Sequence, residues 1–127
     1  GWDDESVIPA STIDYYEGVT RFMGGLDATR GFFRLFMAPG MNHCTGGPGA
    51  HAIDYLSILE RWVEQGEAPD RIVGARPRAG VTIPYLGVGM SLAPADIEIR
   101  RPIYAWPART MYRGSGDPND PANWRAQ

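Results

Sequence analysis

Glycine and proline constrain this chain more than any other feature, with sixteen of the first and eleven of the second in 127 residues. Glycine supplies backbone conformations that other residues avoid, and proline fixes φ and removes a hydrogen-bond donor. Punctuation this dense implies many turns and long irregular stretches, and it excludes a helical bundle. The length accommodates one domain and is too short for two. A hydrophobic share of 43% is that of a globular protein able to bury a core. The net charge of −3, with both signs scattered, leaves no footprint for nucleic acid and no polybasic patch for a membrane, so neither is expected as a partner. No apolar run approaches the roughly 20 residues of a helical membrane span. The chain opens on Gly1-Trp2-Asp3-Asp4 without a Met or a basic-then-apolar leader, so the expectation is a piece of a longer protein. Its one cysteine, Cys44, is expected as a free thiol or as half of a bond to polypeptide outside these residues.

Between the breaks, hydrophobic spacing suggests a few elements. A first helix should start near Pro9, a favourable first-turn residue, carry Ile13, Tyr16, Val19, Phe22, Met23 and Leu26, and stop at Gly24-Gly25. Residues 32–37 form an aromatic-rich run bounded by Gly31 and Pro39-Gly40, which reads as a strand with its aromatics in the core. Residues 38–50 read as a glycine-rich loop. A second helix is expected over 52–65, with Ile53, Leu56, Leu59, Trp62 and Val63 on one side, Gly66 as its cap and Pro69 beyond. Ile72-Val73 and residues 97–99 could be short strands, and residues 81–94 a Gly/Pro-punctuated loop. The tail from Pro102 reads as ordered wrapping. Helix, strand, loop and helix in this order is an α/β alternation, and only part of such a fold.

The residue with the most chemical potential is His43. It lies in a loop just after the expected strand, where α/β folds place reactive groups, and its ordinary pKa suits general-base work. A histidine there can equally serve only to satisfy loop carbonyls. The cluster Asp3-Asp4-Glu5 could supply a carboxylate that orients such a histidine. It could also be a set of acids complementing the positive end of the first helix. His51, at the expected start of the second helix, reads as a surface or capping residue. Cys44 and the two histidines lack the paired spacing of a zinc site. Asp117, Asn119 and Asp120 only faintly resemble a calcium loop and read better as a turn.

Longer stretches narrow these alternatives. Gly1-Trp2-Asp3-Asp4 with Ser11-Thr12-Ile13-Asp14-Tyr15-Tyr16, and Phe33-Arg34-Leu35-Phe36-Met37-Ala38-Pro39-Gly40-Met41-Asn42-His43-Cys44 with its glycine-rich continuation, resemble the tannase/feruloyl-esterase family of α/β-hydrolases. Trp62-Val63-Glu64, Gly66-Glu67-Ala68-Pro69, Arg101-Pro102-Ile103 and Tyr112-Arg113-Gly114-Ser115-Gly116-Asp117 continue the match, which is poor only over about 76–100.

The resemblance implies an α/β class and the C-terminal part of an α/β-hydrolase domain across 1–127. It makes His43 the general base and Asp4, rather than Asp3, the carboxylate behind it. It pairs Cys44 with an upstream cysteine beside the nucleophilic serine. Since hydrolases of this type run Ser, Asp, His along the chain, the serine is expected upstream, and no serine here has Gly-x-Ser-x-Gly surroundings. The lid and the family calcium site also precede this region, so no cofactor is expected within it. The implied activity is hydrolysis of small aromatic-acid esters through an acyl-serine intermediate, in a secreted or periplasmic protein. The piece alone is expected to be inactive and, having cut sheet edges, to self-associate. A non-catalytic binding or assembly domain reusing the fold is the alternative. Where relatives often have a cysteine after the Arg-Pro element, this chain has Tyr104, so a tail disulfide is not expected.

Overall fold

The computed structural model describes residues 1–83 and 92–127, so the loop reading of 81–94 falls largely outside the described residues. Helix α1 spans Pro9–Phe22, with Pro9 in the first turn as anticipated. Gly24 and Gly25 follow at φ 90° and 120°, values that an L side chain resists, and they turn the chain into a one-turn helix, α2, Leu26–Thr29. Tyr16 is the buried anchor of α1, 2% exposed, with its ring 5.1 Å from that of Phe33.

Helix α3 covers Tyr55–Gln65. Asp54 caps it by accepting from the Ser57 amide at 3.1 Å, and Gly66 ends it in the left-handed region at φ 72°. The helix therefore starts three residues later than the expected 52. Ala52 instead pairs in a β-bridge with Ala75, which leaves His51 in extended chain rather than at a helix start.

The strands are β1 (Arg71–Pro77), β2 (Ile97–Tyr104), β3 (Thr110–Tyr112) and β4 (Trp124–Ala126). They pair antiparallel, β1 with β2 and β3 with β4. Ile72 faces Ile103 across the longer pair, and both are buried. They join Ala38, Met41 and Ile53 in the core, with Phe36 and Ile58 packed against it. The molecule is thus a small piece of mixed α and β structure. Among the described residues no helix is long and apolar enough to cross a membrane.

Residues 32–37 depart from the expected strand. The amides of Phe32 and Phe33 both donate to the Thr29 carbonyl, closing a turn and leaving neither free for a ladder. Within this run Phe36 makes an isolated β-bridge to Ala105, and Leu35 accepts from the Trp106 amide. Nor are all the aromatics in the core, since Tyr15 and Phe32 are exposed. The same holds for Leu56, Leu59 and Val63 of α3; it is Ile58 that turns to the core. The tail is ordered. Tyr104 donates to the Trp124 carbonyl at 3.4 Å, and the Arg101 guanidinium lies 4.9 Å above the Trp124 ring.

Candidate active site

The loop after residue 38 is shaped by its own backbone. Gly49 donates to the Gly40 carbonyl at 2.7 Å and Asn42 to Gly46 at 3.1 Å, closing residues 40–49 into a narrow ring. Glycine is required inside it. A Cβ at Gly47 would stand 2.3 Å from the Gly40 oxygen, and one at Gly49 would stand 2.0 Å from the Pro39 oxygen. At the tip, Thr45 donates back to the His43 carbonyl and Cys44 takes φ 60°, so the chain reverses sharply at His43.

The N-terminal segment is stitched to this loop. The Trp2 amide donates to Ala38 at 2.9 Å and the Asp3 amide to Met41 at 3.0 Å. A Cβ at Gly1 would collide with the Met41 carbonyl, so only glycine lets the two backbones lie this close. One residue past the stitch, the Asp4 carboxylate reaches His43 Nδ1, with Oδ2 at 2.9 Å and Oδ1 at 3.1 Å. The structure brings Asp4, rather than Asp3, to the histidine.

Asp4 is held as the anion. Its Oδ1 also accepts from the Ser6 and Val7 amides, each at 2.8 Å. These contacts lower its pKa from 3.8 to about 2, the Val7 amide contributing most, with His43 and Ser6 adding and partial burial opposing. An ionised carboxylate can only accept, so Nδ1 must carry the proton of this hydrogen bond. In the neutral ring that leaves Nε2 with a lone pair, and among the described residues no group claims it. The histidine side chain is 41% exposed and that of the aspartate 10%, so the more covered partner orients the more accessible one.

The other candidates stand apart from this pair. His51 Nδ1 lies 3.2 Å from the Thr45 hydroxyl, and burial, aided by the nearby Arg76 charge, pushes its pKa down. Its part is to brace the loop tip. Cys44 is a free, half-buried thiol beside His43. Asp117 and Asp120 accept from the amides of Asn119 and Ala122, the turn that the sequence suggested. Among the described residues no three His, Cys, Asp or Glu come together to hold a metal. Sequence reasoning passed over Arg76, which donates to the Pro48 carbonyl at the base of the loop. No local pattern marks it, because its partners lie 28 and 22 residues away.

A histidine oriented by an ionised carboxylate on a mixed α/β scaffold is an arrangement that hydrolases use for general-base chemistry. The chain belongs to the tannase and feruloyl esterase family, whose model matches residues 1–126. It is 41% identical over 124 residues to the mono(2-hydroxyethyl) terephthalate hydrolase of Piscinibacter sakaiensis, covering 98% of this chain and 18% of that protein. It is 36% identical over 151 aligned positions to an uncharacterized esterase of Xanthomonas campestris pv. campestris, covering 98% of this chain and 24% of that one. Among solved structures, feruloyl esterase B from Aspergillus oryzae superposes with a TM-score of 0.80 at 27% identity, covering all of this chain and 25% of its own. The chain thus spans about a fifth to a quarter of the length of these relatives.

Proposed function

We propose that these residues form the C-terminal segment of the catalytic domain of a longer serine carboxylic-ester hydrolase with an α/β-hydrolase fold. The carrying observation is the 2.9 Å contact between Asp4 and His43 Nδ1, which leaves Nε2 accessible. A serine from upstream polypeptide would attack the ester carbonyl as Nε2 takes its proton. The tetrahedral intermediate would then collapse, the alcohol leaving with the proton that His43 returns. Water attacks the acyl-serine next, giving its proton to Nε2, and the acid and free serine are released. Asp4 stabilises the imidazolium formed in each half-reaction without taking its proton. No step of this chain's residues calls for a cofactor.

The names of the relatives, a terephthalate monoester hydrolase and feruloyl esterases, favour esters of small aromatic acids as substrates. We assign Cys44 to a disulfide with a cysteine beside the serine, which would tie base to nucleophile. Such a bond places the protein in an oxidising compartment, outside the cell or in the periplasm.

The test is a chimera. The purified chain should not turn over a p-nitrophenyl ester. Substituted for the matching segment of the Piscinibacter sakaiensis hydrolase, it should restore turnover. His43→Ala in that chimera should then cost about a million-fold in kcat, and Asp4→Asn about ten-thousand-fold. Serine-dependent turnover by the chain alone, or an active chimera indifferent to His43→Ala, overturns the reading.

A further inference from the structure

The 40–49 ring has two feet, and they are held by different parts of the molecule. The front foot is stitched to the Asp4 segment through Ala38 and Met41. The rear foot, at Pro48, rests on the β1–β2 hairpin. There, Gly74 lets the Ala50 carbonyl approach until a Cβ would stand 2.2 Å from its oxygen, and Ala75 bridges Ala52. Arg76 lies beyond these, on the same face of β1 as Ile72 and Gly74. Its Nη1 donates to the Pro48 carbonyl at 2.6 Å and its Nη2 to Glu98 Oε1 at 2.8 Å.

The hairpin register makes this bracket possible. Arg76 pairs with Ile99, and the next residue, Pro77, pairs with Ile97, so Glu98 is an extra residue bulged out of β2. A bulge of this kind redirects the side chain it carries. Here the bulged residue is the one that grips the guanidinium. The fork of the arginine is thus fixed at one end by the bulge, and its other end is presented to the loop.

We propose that Arg76 is a positioning residue for His43, holding the rear foot of the loop so that Nδ1 stays on Asp4, with the Glu98 bulge as its anchor. This rests on the reading of His43 and Asp4 as a catalytic pair. Arg76 touches no reacting atom. It acts through Pro48, four residues past Cys44, while the Thr45–His51 contact braces the tip from the same side.

The experiment reads the tautomer of His43 in the 127-residue chain, by long-range proton–nitrogen correlation of its imidazole at a pH where the ring is neutral. The wild-type ring should be protonated mainly at Nδ1. Arg76→Met should lower the Nδ1–H to Nε2–H ratio about tenfold, the effect of losing a charge-assisted hydrogen bond. Glu98→Ala should lower it about threefold, through the lost ion pair. Glu98 is exposed and, among the described residues, bonds Arg76 and nothing in the loop, so this variant keeps the fold. A local stabilising role for Arg76 would not carry its effect to the histidine. Should Arg76→Met fail to fold, Glu98→Ala decides the matter. A wild-type ratio in a folded Arg76→Met, or in Glu98→Ala, overturns the proposal. Asp4→Asn separates the two ideas. If it leaves the ratio unchanged, the catalytic pair itself fails and the role of Arg76 falls with it. If it shifts the ratio and the Arg76 and Glu98 variants do not, only the positioning role is overturned.

Discussion

Trp106 donates its indole N–H to Glu17 at 3.1 Å, joining the segment after β2 to helix α1 across 89 positions of sequence. The acceptor is charged and half-buried, so the bond should outweigh the exposed Glu17–Arg21 pair, whose atoms stand 3.9 Å apart. Glu17→Ala is expected to cost about 1.5 kcal/mol and to lower Tm by about 6 °C in a domain of this size. Arg21→Ala should leave Tm nearly unchanged. Equal losses in thermal melts of the two variants would mean that the indole bond contributes nothing of its own.

Asp4 makes a second prediction, in acid. Its folded pKa, about 2, lies below the ordinary 3.8. Between those values the unfolded carboxyl binds more protons than the folded one, so unfolding takes up protons. The stability that Asp4 contributes is therefore complete above pH 4 and drains away as pH falls from there through about 2. Denaturant titrations should show this limb in the wild type and a shallower one in Asp4→Asn. An unchanged acid limb in the variant contradicts the assignment of the shift to Asp4.

The start of α1, the end of α3 and the Asp4–His43 contact were legible where the determinants are local or belong to a long motif. Pro9 and Gly66 mark their helix ends by backbone chemistry alone. His43 and Asp4 came from motif resemblance, and the backbone stitch that joins their segments needs glycine at position 1, where the motif has it. The misreadings come from what a run of residues does not encode. Residues 32–37 have the composition of a strand, but their first two amides are spent on the Thr29 carbonyl. Strand β2 contains Arg100-Arg101-Pro102, which interrupts the apolar pattern, and only its pairing with β1 makes it a strand. The bulge at Glu98 is a property of two strands in register, so neither strand alone announces it or the arginine it holds.

Cys44 supplies a third prediction. It is the one residue other than glycine at positive φ among those described, and a side chain in that region costs about 1 kcal/mol. Cys44→Gly should accordingly be more stable than Cys44→Ala by about that amount, although glycine at an ordinary loop position is the worse choice. The comparison removes the thiol in both variants, so oxidation does not enter. Denaturant midpoints in the opposite order would show that the left-handed turn at the loop tip is relaxed in solution.

The last prediction concerns surface that this chain leaves uncovered. On α3, Tyr55, Leu59 and Val63 follow one another at four-residue spacing and form an exposed apolar stripe, with Val63 75% exposed. The stripe borders a cavity of about 370 Å³ lined by Ile58, Leu59 and Trp62 of the helix together with Phe36, Met41 and Ile53. Contiguous apolar surface of this kind favours association over exposure to water. The purified chain should therefore self-associate, most simply as a twofold dimer across α3. The interface should exceed about 1,000 Å² if it is to be stable. Leu59→Lys with Val63→Glu should return it to monomer without unfolding it, because both side chains are already exposed. Sedimentation over a dilution series decides between the outcomes. A wild-type chain that stays monomeric at high concentration refutes the prediction, and a dimer that survives the double substitution moves the interface away from α3.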